Sequence, residues 1–265
     1  MKVNVHDAPT DLSFFNFARD SYIDNADSNY NISGYIVSPK SSNINGKITL
    51  PLTYQGEGDS SPLPVIGIDG FMGSGVTHVF WNSPDGDNPN LRSIHSNAFQ
   101  TTGIEFFEFT SKLRFIGQSA FESRSMITDE RCVNLLGESP ILYIGTNAFN
   151  SAFGFTNIAR FKLRGTIQTI EAHAFLFQTG GNGAVGVLQI GSQEEPSVLQ
   201  VCGILNILED GNKSTKAGIR PANKEDTAYF TTCQVYKKTG VFNDEIIDQT
   251  APLIYGVGSW SIQSI

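Results

Sequence analysis

Hydrophobic residues recur along the middle of the chain in one phrase: an aliphatic residue, isoleucine three residues later, and phenylalanine five residues after that. The clearest copy runs from Leu113 to Phe121, and others begin at Leu63, Leu91, Ile141 and Ile167. Self-similarity at a period of 22 to 28 residues predicts a solenoid, in which each repeat buries its apolar face against its neighbours. The predicted core of this solenoid is Phe71, Phe99, Phe121, Phe149 and Phe175.

A second apolar pattern, with hydrophobic residues at i, i+3 and i+5, follows most of these phenylalanines. Its last three positions alternate with period two, which predicts a short strand with one buried face. The Ile-Gly-x-x-Ala-Phe stretch is predicted to form a compact helical or 3₁₀ turn. The strand pattern is irregular around Cys132. Its regular copies are Val76/Val79/Trp81, Ile104/Phe107/Phe109, Ile158/Phe161/Leu163 and Val185/Leu188/Ile190.

Together the two patterns resemble the BspA-like leucine-rich repeats, whose units read approximately L-x-x-I-G-x-x-A-F followed by L-x-x-L-x-L. The resemblance covers residues 47–203 in five copies; His95 and Glu171 replace the family's glycine, and Gly70 replaces its alanine. It implies an α/β solenoid: a leucine-rich-repeat stack with a parallel β-sheet on one face, short helical or 3₁₀ turns, and β-rich terminal caps. It also implies a bacterial surface adhesin as one class of function.

The two ends of the chain lie outside the repeats and leave alternatives open. Residues 1–46 are rich in aromatic side chains and are predicted to cap the first repeat, although residues 1–25 could instead form an arm that docks on a neighbouring subunit. Residues 204–265 begin with a polar linker and become strand-like from Tyr229 onward. This segment is predicted to be a β-rich C-terminal cap or a module that attaches the solenoid to a larger body.

Composition narrows the class of partner. The 265 residues carry a net charge of −8 without a cluster of Lys or Arg, which argues against nucleic acid as the partner. The N-terminus lacks the apolar stretch of a secretory signal, and no apolar run is long enough to cross a bilayer. We therefore expect folding in the cytoplasm, unless a leader has been removed. The three widely spaced cysteines, Cys132, Cys202 and Cys233, favour free thiols and a reducing compartment.

Catalytic and metal-binding motifs find little support. Asp85-x-Asp87 lacks the later ligands of a calcium loop and is predicted to be a turn. The segment around Ser119 resembles a nucleophile elbow, but Phe121 occupies the position where that motif needs glycine. His95 and His173 would lie three rungs apart, roughly 14 Å, which is too far to share a metal. The sequence therefore predicts a non-enzymatic protein with neither cofactor nor metal.

The outward side chains of the repeat strands form the predicted partner-binding face. Parallel strands stacked rung upon rung should align these side chains in one continuous row. Two large apolar members, Phe80 and Phe106, predict a contact patch, unless the N-terminal segment covers them. The full predicted row is His78, Phe80, Phe106, Glu108, Arg160, Lys162 and Gln189.

These features favour a protein-interaction or structural component of a larger assembly, most specifically a phage virion or tail attachment protein folded in the host cytoplasm. Its expected partners are assembly subunits or a host surface protein, within an oligomer or particle. The alternative is a bacterial cell-surface adhesin or a glycan-binding leucine-rich-repeat protein. The first hypothesis rests on the absent signal, the free cysteines, the charged fraction of only 17% and the two ends outside the repeats.

Overall fold

A computed structural model gives the architecture of the protein. The structure describes residues 10–122, 127, 129–150, 152, 160–171, 174, 185–192, 194–195, 197, 201–202, 207–208, 215–216, 230–237 and 257–264. In chain order its strands and its α-helix are β1 (Phe15–Tyr22), β2 (Ile32–Pro39), β3 (Asn45–Leu50), β4 (Thr53–Tyr54), β5 (Leu63–Ile68), β6 (Gly75–Trp81), β7 (Ser93–Ile94), β8 (Phe106–Phe107), β9 (Phe115–Ile116), α1 (Glu130–Glu138), β10 (Tyr143–Ile144), β11 (Arg160–Leu163), β12 (Thr169–Ile170), β13 (Val185–Ile190), β14 (Val201–Cys202), β15 (Ile207–Leu208), β16 (Thr215–Lys216), β17 (Phe230–Lys237) and β18 (Val257–Ser264). Short 3₁₀ helices cover Leu12–Phe14 and Ser28–Tyr30.

Most of these strands stack in parallel, which confirms the predicted solenoid. Sheet A has the order β1-β2-β5-β7-β9-β10-β12-β14, with β4 paired to β5. On other parts of the stack, sheet B has the order β3-β6-β8 and sheet C the order β11-β13-β17-β18. Strands β15 and β16 form a small antiparallel pair. Among the described residues no helix is long and apolar enough to cross a membrane.

The isoleucine of each of the last four repeat phrases lies in a two-residue strand of sheet A. Ile94, Ile116, Ile144 and Ile170 pair in register and point inward, with at most 3% of each exposed. The turns that follow carry the i to i−3 hydrogen bonds of the predicted compact segment, for example Ala120 N–H to the Gly117 carbonyl. Left-handed residues, such as Ser119 at φ 52°, interrupt them, so the turns do not continue as helices.

The repeat phenylalanines form a buried line along the axis of the stack. Ring centroids lie 5.1 Å apart for Phe71 and Phe99, 5.4 Å for Phe99 and Phe121, and 5.2 Å for Phe121 and Phe149. The planes differ by 19° or less, and each residue is at most 1% exposed. Phe175, the fifth predicted member, lies outside the described residues.

The first repeat has a different register from the one that its sequence predicts. Ile68, rather than Ile66, pairs with Ile94, and Gly67 pairs with Ser93. Both isoleucines are buried, so the hydrophobic pattern alone allows either register. Gly67 packs closely under two side chains of the neighbouring strands, since a Cβ there would lie 2.3 Å from Ile36 Cδ1 and 2.7 Å from the Ser93 hydroxyl. The turn to Phe71 is consequently shorter by two residues.

Helix α1 replaces the irregular strand predicted around Cys132. Asp129 caps the helix by accepting a hydrogen bond from the Arg131 N–H, and Cys132, Val133 and Leu136 are buried at helical spacing. Gly137 lets the helix approach β11, because a Cβ there would lie 2.5 Å from the Lys162 carbonyl oxygen. Since α1 occupies this rung, β8 ends sheet B and β11 begins sheet C.

The N-terminal segment is folded against the solenoid within the described residues. Strand β1 pairs antiparallel with β2, and β2 pairs parallel with β5, so this hairpin caps one edge of sheet A. Between the two strands, residues 23–31, here called the strap, cross two rungs of the repeats. The Asp24 carboxylate accepts a hydrogen bond of 2.7 Å from Arg114, and the Tyr30 carbonyl accepts one of 3.1 Å from Arg92. These contacts attach the strap to the second and third repeat phrases.

The parallel sheet extends beyond residue 203, the predicted end of the solenoid. Strand β17 pairs in parallel with β13, and β18 pairs in parallel with β17. Both strands lie in the segment from Tyr229 onward that the sequence predicts to be strand-like. The C-terminal strands therefore add rungs to sheet C.

Adjacent rungs approach each other closely at Gly117, and Gly117→Ala should destabilise the stack. A Cβ at this position would lie 2.4 Å from the Ser96 nitrogen, so backbone atoms must shift. We expect urea unfolding to show a loss of about 1–3 kcal/mol. Gly103→Ala is the matched control, since its Cβ would meet only a Thr77 methyl at 3.9 Å. Equal stability of the two variants would contradict the close stacking.

Candidate partner-binding site

Three aromatic side chains meet on the outer face of sheet B. Strands β6 and β8 place His78 beside Phe106 in register, and the alternation along β6 puts Phe80 on the same face. Phe80 and Phe106 have centroids 5.1 Å apart, and His78 lies 6.1 Å from Phe80 and 6.3 Å from Phe106. The rings are within 28° of parallel. We call His78, Phe80 and Phe106 the aromatic patch.

The members of the aromatic patch differ in accessibility. His78 and Phe80 are half-buried, whereas Phe106 is only 5% exposed. The first turn of α1 places the Arg131 guanidinium over the Phe106 ring, with Cζ 5.0 Å from its centroid. Phe106 therefore belongs to the outward row but supports its neighbours, so that Phe80 and His78 are the members that a partner can reach.

Burial and nearby charges act on the aromatic patch. Burial lowers the pKa of His78, and the positive charge of Lys47 on the neighbouring strand lowers it further. The hydrogen bonds from Arg131 hold the pKa of Asp129 below its ordinary value. At neutral pH the patch thus presents a neutral imidazole and a phenyl ring. Beside them lies Arg131, which is held by the carboxylate of Asp129.

Glu108 does not offer a free carboxylate to a partner, contrary to its predicted place in the row. Its side chain accepts a 3.0 Å hydrogen bond from the Trp81 backbone N–H, and its carbonyl accepts a 2.9 Å bond from the Trp81 indole. Its carboxylate also packs on Gly86, where a Cβ would lie 2.2 Å from Oε1. Glu108 therefore fastens the loop after β6.

The remaining predicted residues lie on sheet C, because α1 divides the row that the sequence predicts as continuous. Lys162 and Gln189 pair in register, and Arg160 occupies the first position of β11. Lys162 is exposed, but Gln189 is 5% exposed and its amide donates to the Gly191 carbonyl at 2.7 Å. Of the side chains described on this sheet, Lys162 is thus the predicted contact that remains accessible.

A groove of about 470 Å³ separates α1 from β11. Lys162 and Arg164 line one side, and Asn134 and Glu138 line the helix side. Arg164 is already paired with Glu195 through three hydrogen bonds of 2.8 to 3.0 Å. Polar and charged side chains line the groove, and the carboxylate of Glu195 already pairs with its arginine.

The outer face of sheet A carries a second aromatic surface that the sequence analysis missed. Phe115 and Tyr143 pair in register and stack, with centroids 4.8 Å apart and planes 4° from parallel. Beside them is a cavity of about 400 Å³, here called the notch. The signal was present in the repeat phrase, because the residue before each isoleucine must point outward if that isoleucine lies in a strand.

Among the described residues there is neither a cluster of metal ligands nor an activated thiol at Cys132. Within it no three His, Cys, Asp or Glu side chains lie close enough to hold a metal ion. Burial raises the pKa of the Cys132 thiol to about 12, and its Sγ accepts a hydrogen bond from the Phe107 N–H. Cys132 is therefore a core residue between α1 and sheet B.

Comparison with known proteins agrees with this geometry. Residues 87–179 match the BspA type leucine rich repeat region in six copies. The predicted resemblance is thereby confirmed, and the parallel stack extends beyond the matched residues on both sides. No curated protein and no solved structure gives a significant match to the chain. A leucine-rich-repeat solenoid is typically a non-enzymatic scaffold that binds other proteins.

Proposed function

We propose that this protein is a non-enzymatic binding component of a larger assembly and that it contacts a protein partner through the aromatic patch. The observation that carries the proposal is the half-buried, stacked pair of His78 and Phe80 on the outer face of sheet B. Aromatic side chains held rigidly by their neighbours lose little entropy on binding and are enriched among the residues that dominate interface energetics. Lys162, beyond α1, would contact the periphery of the same partner.

Within that class we propose a phage virion or tail component that folds in the host cytoplasm. The charged fraction of 17% and the buried free thiol of Cys132 support this assignment. A bacterial surface adhesin is the second candidate, and the BspA-type repeats favour it. Mass spectrometry and immunogold labelling of purified particles distinguish the two. Detection in the particle supports the first, and detection only at the cell envelope supports the second.

Phe80→Ser tests the aromatic patch. A photo-crosslinking side chain at position 80 in the intact assembly identifies the bound protein, whose affinity is then measured with purified components. We expect Phe80→Ser to weaken binding at least about tenfold, as for a central aromatic contact. Phe14→Ser is the matched control, because Phe14 is 54% exposed, precedes β1 and is not a member of the aromatic patch. Equal affinity of wild type and Phe80→Ser would rule out the patch.

A further inference from the structure

The notch on sheet A lies beside Ser93, a small residue in an outward row that also holds the larger Ile36 and Phe115. The outward positions Ile36, Gly67, Ser93 and Phe115 pair in register along four neighbouring strands. The Ile36 side chain covers Gly67, so the notch lies beside Ser93, with Ile36 on one side and the Phe115 ring on the other. The notch is an open depression of about 400 Å³, a volume within the range of small-ligand sites.

One wall of the notch is a pre-organised aromatic ring. Phe115 is half-buried and stacks in parallel on Tyr143 of the next rung, at 4.8 Å. This stacking holds the ring upright at the edge of the notch before any ligand binds. A flat apolar surface fixed in this way suits a ligand that has an apolar face of its own.

Polar groups surround the other sides of the notch. Asp69 and His95 line the notch, with Oδ2 and Nδ1 3.8 Å apart and with 47% and 34% of the side chains exposed. Asp20 and Tyr22, from the end of β1, line it as well. Burial raises the pKa of Tyr22 to about 12, so its hydroxyl keeps a proton that it can donate at neutral pH. Carboxylates that accept hydrogen bonds and groups that donate them therefore converge on one apolar wall.

We propose that the notch binds one neutral pyranose unit of a glycan. The C–H face of the sugar would stack on Phe115, and its hydroxyls would bond to Asp69 and Asp20, which accept, and to Tyr22, which donates. Two carboxylates line the notch, and no Lys or Arg stands among its described lining residues, so acidic sugars are excluded by charge repulsion. This site lies on a different sheet from the aromatic patch and does not depend on the proposed protein partner.

Saturation-transfer NMR and titration of the full chain test the proposal. The probes are the methyl glycosides of glucose, galactose, mannose and N-acetylglucosamine, with glucuronate and choline as contrasts. We expect at least one neutral glycoside to bind and neither contrast to bind. Phe115→Ala should weaken that binding about tenfold, the size of one lost aromatic contact. Asp69→Ala should weaken it as well and should leave the fold intact, because the Asp69 side chain is half exposed.

Phe14→Ala controls for loss of an exposed phenylalanine, and Phe80→Ser controls for the aromatic patch; both should bind the sugar as wild type does. Melting curves identify any variant that fails to fold, and Asp69→Ala then decides alone. Absence of binding by all four glycosides overturns the proposal, as does unchanged binding by Asp69→Ala. Binding of choline in place of the sugars also overturns it and shows that the notch is a cation site.

Discussion

Phe121→Ala should lower the free energy of unfolding by about 3–5 kcal/mol, the range for truncating a buried aromatic side chain. Phe121 is 1% exposed and lies in the line of rings between Phe99 and Phe149, at 5.4 and 5.2 Å. It also contacts Phe107 and Phe109 from the strand side of the repeat, at 5.2 and 5.5 Å. Removing its ring leaves a cavity that the tightly packed neighbours on the adjacent rungs cannot close. The variant should therefore lose packing energy in both sheet A and sheet B.

Urea unfolding followed by circular dichroism measures this loss. Phe14→Ala removes the same side chain from a position that is 54% exposed, and it should change stability by less than about 0.5 kcal/mol. If Phe121→Ala melted like the wild-type protein, the repeat register would be wrong.

Asp24→Asn should also cost about 3–5 kcal/mol, because it leaves a buried guanidinium without its counter-charge. The Arg114 side chain is 4% exposed and that of Asp24 is fully buried, and their hydrogen bond of 2.7 Å joins the strap to the third repeat phrase. The rest of the Arg114 guanidinium is held by the Pro140 carbonyl and lies 4.0 Å from the centre of the Tyr30 ring. It therefore has no route to water without undocking the strap.

Thermal unfolding measures the cost, and Asp27→Asn in the same strap is the control. Asp27 caps the 3₁₀ turn at Ser28 by accepting a hydrogen bond from the Asn29 N–H, and asparagine caps such turns equally well. Asp27→Asn should therefore melt close to wild type. Equal melting of the two variants would mean that the strap does not rest on the buried ion pair.

The pH dependence of the same contact has a defined sign. Burial by itself would raise the pKa of Asp24, but the Arg114 hydrogen bond and the N–H groups of Asp27 and Ala26 lower it overall. A carboxylate whose pKa falls on folding stabilises the protein above its unfolded pKa of about 4, and it loses this contribution as pH drops through the folded pKa. The stability difference between wild type and Asp24→Asn should thus be constant from neutral pH to about pH 5 and should shrink under stronger acid.

The sequence predicts the solenoid because the hydrophobic residues that recur in every repeat all pack along one axis. Phe99, Phe121 and Phe149 could be placed in the core from spacing alone, since each repeat buries the same position against the next. The register of the first repeat could not, because Ile66 and Ile68 satisfy the hydrophobic pattern equally. The observed pairing of Gly67 with Ser93 and of Ile68 with Ile94 is a contact between rungs, which a local pattern does not contain.

Helix α1 and the two outer faces show where local patterns stop being informative. Cys132 begins a segment that fits a strand poorly, yet the Asp129 cap and the burial of Leu136 at helical spacing decide for a helix. This helix, in the place of the predicted strand, divides the predicted row and brings Arg131 over Phe106. The strap depends on a pair 90 residues apart in sequence, and the notch joins side chains from β1, β2 and three repeats. Contacts of this separation are set by the fold as a whole.

The central feature of the solenoid core is that successive repeat phenylalanines are in contact along one line. A double-mutant cycle of Phe99→Leu and Phe121→Leu measures this directly, with Phe71→Leu and Phe149→Leu as the reference pair three positions apart. We predict a coupling of at least about 0.5 kcal/mol for the neighbours. The reference pair should be additive within about 0.5 kcal/mol. Additive losses for Phe99 and Phe121, or coupling of the reference pair as strong as that of the neighbours, would contradict the line of rings.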